Sequence, residues 1–154
     1  MKKELIYKKF VEALKLENIK LTPQREAIFS NIIDSDGHRE CDDIYNSLIE
    51  KNISISKATI YRTLDILVEH DLIRKLVIGD GKAKYEKKIG KPHHDHMICI
   101  ETGDIIEFDN EDIERLQEEE AKKRGYTIIK HVHQLFVKPI VVHDASEELL
   151  DEIK

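Results

Sequence analysis

Residues 56–86 read SKATIYRTLDILVEHDLIRKLVIGDGKAKYE, and their hydrophobic period changes half-way along. Ser56 is a helix cap, with Ile55 before it and Ile60 at the fourth helical position placed to form a hydrophobic staple. Leu64, Leu67 and Val68 continue the buried stripe. After Asp71 the spacing becomes that of strands: 73–78, a turn at Gly79-Asp80-Gly81, then 82–86 read as a two-stranded hairpin. A helix followed at once by such a hairpin ends a winged helix-turn-helix, provided that helices precede it, and they do. Ile6, Phe10 and Leu14 mark a first helix over 5–16, broken by Asn18-Ile19-Lys20-Leu21. Thr22-Pro23 is a cap with proline at the first helical position, opening a second helix that runs to Asp34. A third, over 40–50, puts Cys41, Ile44, Tyr45, Leu48 and Ile49 on one side.

Downstream, Ile89-Gly90-Lys91-Pro92 is the candidate hinge. Beyond it the pattern predicts a strand over 94–100, a turn at 101–103, a strand over 105–108, a helix over 111–124, a long strand over 126–137 and a short polar helix from Ser146. The expected class is α+β: an N-terminal winged helix-turn-helix (1–88, DNA-binding), a hinge (89–92) and a C-terminal α/β metal-binding dimerisation domain (93–154). A three-stranded sheet with an open edge, in a part of about 65 residues, is too small to be comfortable alone. A homodimer, or a higher oligomer, is the expected solution.

The formal charge of −6 on 154 residues excludes a generic basic nucleic-acid coat. Residues 1–85 carry 15 basic and 14 acidic side chains, whereas 86–154 carry 10 and 17, so any contact with a polyanion belongs to the first part. No stretch is apolar enough for a membrane span and the N-terminus lacks a signal-peptide core, so a cytoplasmic protein is expected. Cys41 and Cys99 are the only cysteines; they make neither a disulfide scaffold nor a structural Cys₄ zinc site.

Two constellations carry chemistry. In a winged helix the helix before the wing enters the major groove. There Lys57, Tyr61 and Asp65 share an exposed face flanked by Thr59 and Arg62. Arg62 suits a guanine edge or a phosphate, Tyr61 a thymine methyl, Ser56 and Lys57 the backbone, and Lys20 a minor groove. The second constellation is His93-His94-Asp95-His96. Strand parity puts His94 and His96 on one face and His93 and Asp95 on the other, so one run feeds two sites. His38, Glu86, Glu107, Glu114, His131 and His133 are further ligand candidates. Imidazole with carboxylate suits Fe²⁺, Zn²⁺, Mn²⁺ or Ni²⁺. No His-Glu-x-x-His spacing supports a metalloenzyme reading, so an enzyme is not expected.

The segments Leu21-Thr22-Pro23-Gln24-Arg25, Ala58-Thr59-Ile60-Tyr61-Arg62-Thr63-Leu64, His93-His94-Asp95-His96-Met97-Ile98-Cys99 and Gly103-Asp104-Ile105-Ile106-Glu107-Phe108, in that order, resemble the ferric uptake regulator superfamily of metal-dependent repressors. The resemblance implies a regulatory metal site at His38, Glu86, His94, His96 and Glu107, and a second site at His93, Asp95, Glu114 and His131. It implies binding as a dimer to an AT-rich inverted repeat in double-stranded DNA. Glu86 and Glu107 look like the iron-responsive branch, so an iron-responsive repressor of iron-uptake genes with Fe²⁺ as regulatory metal is expected; peroxide or zinc sensing is the alternative, with Zn²⁺ or Mn²⁺ as other ions. Many relatives hold zinc on two Cys-x-x-Cys pairs. Here Thr102 replaces the second cysteine of the first pair and the later pair is absent, so no Cys-ligated zinc is expected.

Overall fold

The computed structural model describes residues 2–79, 81–90 and 93–140, which divide into two compact units, Met1–His93 and His94–Lys154.

The first unit contains α1 (Lys2–Leu16), α2 (Pro23–Ile33), α3 (Cys41–Glu50), α4 (Lys57–Glu69) and an antiparallel hairpin of β1 (Ile73–Gly79) and β2 (Lys82–Lys87). The helix starts are chemical. Thr22 Oγ1 accepts from Arg25 N at 3.3 Å and Ser56 Oγ from Thr59 N at 3.2 Å, while the Asp43 carboxylate accepts from Glu40 N at 2.8 Å. The helix ends repeat one device. Asn18, Asn52 and Asp71 have φ of 55°, 58° and 61°, a left-handed turn that short polar side chains tolerate. In each case the next N–H reaches back to the last turn: Ile19 to Leu14 O, Ile53 to Leu48 O, Leu72 to Leu67 O. These are Schellman closures, and each pairs two apolar residues that belong to the core or pack on it.

That core gathers Phe10, Leu14, Ile28, Phe29, Ile32, Ile44, Leu48, Ile60, Leu64 and Leu67 from all four helices, with Phe10 and Phe29 stacked at 4.6 Å. Tyr85 of β2 joins it, and burial pushes its hydroxyl up to about 12. Arg39, before α3, makes an isolated antiparallel bridge to Tyr85, with Arg39 N to Tyr85 O at 2.9 Å and Tyr85 N to Arg39 O at 2.8 Å.

In the second unit, β3 (Asp95–Cys99) is the middle strand, antiparallel to β4 (Ile105–Phe108) and parallel to β5 (Gln134–Val137). Between β4 and β5 runs α5 (Glu111–Lys123), capped by Asn110 Oδ1, which accepts from Asp112 N and Ile113 N at 3.0 and 3.2 Å. Acidic residues fill its first turn and basic residues its last, matching the helix dipole. The chain then turns at Gly125, whose φ of 83° suits a residue without Cβ.

The predicted strand over 126–137 is corrected to its last four residues. β5 is parallel to β3, and β3 is only five residues long, so the ladder has no rungs for 126–132. Apart from the half-buried Ile128, their apolar side chains face solvent instead, Tyr126 at 73%, Ile129 at 93% and Val132 at 74% exposure. The predicted helix from Ser146 and residues 91–92 of the predicted hinge lie outside the described residues.

Candidate functional site

The α4 face is as its spacing predicts. Ile60, Leu64 and Leu67 are buried, while Ser56, Lys57, Tyr61, Arg62 and Asp65 are exposed and Thr59 is half-buried. Three contacts on this face have no sequence signal. Lys57 Nζ lies 2.7 Å from Asp42 Oδ1 and over the Tyr45 ring, and the neighbouring Cys41 thiol pushes the Tyr61 hydroxyl up. The start of α3 therefore steadies two side chains of α4. Lys20 is exposed, and its loop is pinned by Arg25 Nη1 donating to the Lys20 carbonyl at 3.0 Å.

The metal-ligand candidates of the first unit are His38 and Glu86, brought together by the Arg39–Tyr85 bridge. Pairing residues 39 and 85 sets their neighbours 38 and 86 side by side, and His38 Nε2 lies 3.5 Å from Glu86 Oε2. Glu86 is fully buried, and its other oxygen is 3.3 Å from Arg74 Nη1, the residue opposite it across the hairpin. Arg74 is a partner that the sequence reading missed.

In the second unit, parity sorts the histidine run. His96 and Glu107 are cross-strand partners, His94 Nε2 lies 3.6 Å from Glu107 Oε1, and the His94 and His96 rings meet edge-on at 4.9 Å. Asp95 points the other way. Its Oδ1 is 3.4 Å from His131 Nε2, which is 3.5 Å from Glu114 Oε1, so Asp95, Glu114 and His131 form a compact N/O set. His133 adds a contact the pattern left unassigned, its Nδ1 being 3.0 Å from Asp95 Oδ2. His93 is the exposed last residue of the first unit. Borderline imidazole with hard carboxylate is a donor chemistry that fits first-row divalent ions.

The family model for the ferric uptake regulator family matches residues 17–136. The ferric uptake regulation protein of Campylobacter jejuni is 36% identical over 135 residues, covering 86% of this chain and 85% of the relative. The chain belongs to the ferric uptake regulator family. Among solved structures, the Helicobacter pylori ferric uptake regulator superposes with a TM-score of 0.77 at 32% identity, covering 88% of this chain and 90% of its own. A zinc-bound manganese uptake regulator gives 0.58 at 30% identity, covering 85% and 98%. Members of the family are metal-responsive DNA-binding regulators of transcription, not enzymes, and so is this chain.

This member of the family has no Cys-pair zinc site. Cys41 packs in the first core, where burial pushes its thiol up. Cys99 sits at a tight knuckle in the second unit, closed by Gly103 N donating to Cys99 O at 2.8 Å. The Thr102 hydroxyl stands where the second thiol of a Cys-x-x-Cys pair would, and with the backbone N–H groups of Thr102 and Glu101 it holds the Cys99 thiol below its usual range. Among the described residues no helix is long and apolar enough to cross a membrane.

Proposed function

We propose that this family member is an iron-responsive repressor that binds, as a homodimer, an AT-rich inverted repeat in double-stranded DNA. The observation carrying the proposal is that each compact unit holds its own incomplete His/carboxylate half-set: His38 with Glu86 in one, His94, His96 and Glu107 in the other. Residues 1–88 are the DNA-binding domain, 89–92 the hinge and 93–154 the metal-binding dimerisation domain. We assign His38, Glu86, His94, His96 and Glu107 as the ligands of the regulatory Fe²⁺, which would supply positive charge there. His93, Asp95, Glu114 and His131 hold a second ion. That the H. pylori regulator has three functional metal binding sites supports more than one ion here.

On the DNA side, Tyr61 and Arg62 read base edges in the major groove, Ser56, Lys57 and Thr59 meet the backbone, and Lys20 enters the minor groove. The ion changes DNA affinity only as far as the DNA-competent arrangement of the domains binds it more tightly than the others do. A second copy is supported by the open edge of β5 and by the exposed Ile106, Tyr126, Ile129, Val132 and Phe136.

The test is operator binding by chelated protein titrated anaerobically with Fe²⁺, Mn²⁺, Zn²⁺ and Ni²⁺. Iron sensing expects activation by Fe²⁺ at cellular concentrations, and expects His96→Ala to keep the metal-free DNA affinity but lose the response. Activation only by zinc at physiological levels transfers the assignment to a zinc sensor. Release from DNA on peroxide, with oxygen added to His38 or His94, transfers it to a peroxide sensor.

A further inference from the structure

Asp95 is 3% exposed, and a carboxylate that deep needs each oxygen satisfied. Its oxygens serve different partners. Oδ1 faces His131 Nε2 at 3.4 Å, within the set that includes Glu114, whereas Oδ2 is 3.0 Å from His133 Nδ1. A carboxylate only accepts, so Nδ1–H of His133 donates. The ring that donates is itself held: it packs edge-on against Phe108 at 5.8 Å and 76°. Its backbone is fixed too, since the His133 carbonyl accepts from His96 N at 3.3 Å. His131 and His133, both just before β5, reach different oxygens of the same carboxylate.

We propose that His133 is a positioning residue for the second metal site. By engaging Oδ2 it turns Oδ1 towards His131 and Glu114, which favours binding through one oxygen and the low coordination number of Zn²⁺ over ions that want more ligands. The inference rests on the second-site reading above and adds to it a partner that sets ligand orientation and ion preference.

The test uses the full chain carrying His38→Ala and His96→Ala, which removes a ligand from each regulatory half-set, with Zn²⁺ and Co²⁺ as probes. Zinc affinity is read by chelator competition and cobalt geometry by visible absorption. His133→Phe keeps the ring against Phe108 but removes the donor. We expect it to weaken Zn²⁺ binding about 10- to 100-fold and to replace strong four-coordinate cobalt bands with weak bands of higher coordination. His133→Asn, with an amide N–H near the position of Nδ1, should restore both readouts to within a few-fold. If His133→Phe leaves affinity and spectrum unchanged while Glu114→Gln abolishes binding, the second site stands and the role of His133 falls. If His133→Asn is as impaired as His133→Phe, the imidazole is a ligand and the positioning role is overturned. If Glu114→Gln still binds the ion as the parent does, the second-site reading fails and the proposal with it.

Discussion

The two units close their helices with the same device but spend it differently. In the first, the apolar residues after the closing turns, Ile19, Ile53 and Leu72, lie in the core or against it. In the second, the closing turn at Gly125 is followed by Tyr126, whose N–H reaches Ala121 O while its ring is 73% exposed. Helix α5 buries none of its residues, and among the described residues only Ile98 and Cys99 are buried apolar side chains of that unit, beside the buried His94, Asp95 and His96. One unit is thus held by a hydrophobic core, and the other centres on buried His and Asp side chains beside exposed apolar surface.

The largest effect expected from this difference is in the first core. Phe29→Ala removes half of the Phe10–Phe29 stack from a fully enclosed site and should cost about 3–5 kcal/mol of unfolding free energy. Urea melts should give the same decrement with and without a chelator. A decrement that depends on metal would show that the first unit's stability is not independent of ion binding, and the contrast would break.

Metal removal should do the reverse. An ion held at about a hundred times its dissociation constant stabilises the state that binds it by about 2.7 kcal/mol. Amide exchange after chelation should therefore quicken in β3, β4 and β5 while α1, α2 and the Phe10 region keep their protection. Equal loss of protection in both units would sink the idea that the ligands stand in for a core in the second. On the DNA-reading face the expected effect is of similar size: Arg62→Ala should cost about 1–3 kcal/mol of specific operator binding if Arg62 makes a bidentate base contact. Unchanged discrimination between operator and scrambled DNA would remove Arg62 from that role.

What could be read from the residues follows the same divide. Helix starts at Thr22-Pro23 and Ser56, and the two-faced histidine run, are local: a cap acts within three residues, and parity within one strand. The end of β5 is not local, because strand length depends on how much of β3 there is to pair with. The pairing of His38 with Glu86 is likewise set by a bridge between residues 39 and 85, and the grip of Asp42 and Cys41 on Lys57 and Tyr61 by how α3 packs on α4. Residue identity named the candidate ligands, but the contacts that orient them, Arg74 on Glu86 and His133 on Asp95, needed the tertiary structure.

The two cysteines offer a finer probe. Burial raises the Cys41 thiol, whereas the Thr102 hydroxyl and two backbone N–H groups lower that of Cys99. The thiolate is the nucleophile, so alkylation of Cys99 should turn on at lower pH than that of Cys41, and Thr102→Val should move the Cys99 profile to higher pH. Identical profiles for the two thiols, or no shift in the variant, would show that the knuckle does not stabilise the thiolate.

The smallest effect concerns the closing turns themselves. Asn52 has φ of 58°, where a Cβ is strained and glycine is not. Nothing about its side chain is needed for the closure, which is made by backbone: Asn52 N to Ile49 O at 2.9 Å and Ile53 N to Leu48 O at 3.0 Å. Replacing Asn52 with Gly relieves the Cβ strain in the native state but frees more conformations in the unfolded one, so the two terms oppose and the net change should stay within about 0.5 kcal/mol. Asn52→Ala keeps the Cβ and loses the short polar side chain that tolerates this region, and should cost about 1 kcal/mol. The gap between the two variants, read from urea midpoints at constant m, isolates the backbone contribution. If Ala proves as stable as Gly at position 52, the left-handed turn is not what holds Ile53 against Leu48, and the closure is instead enforced by the core that Ile53 enters.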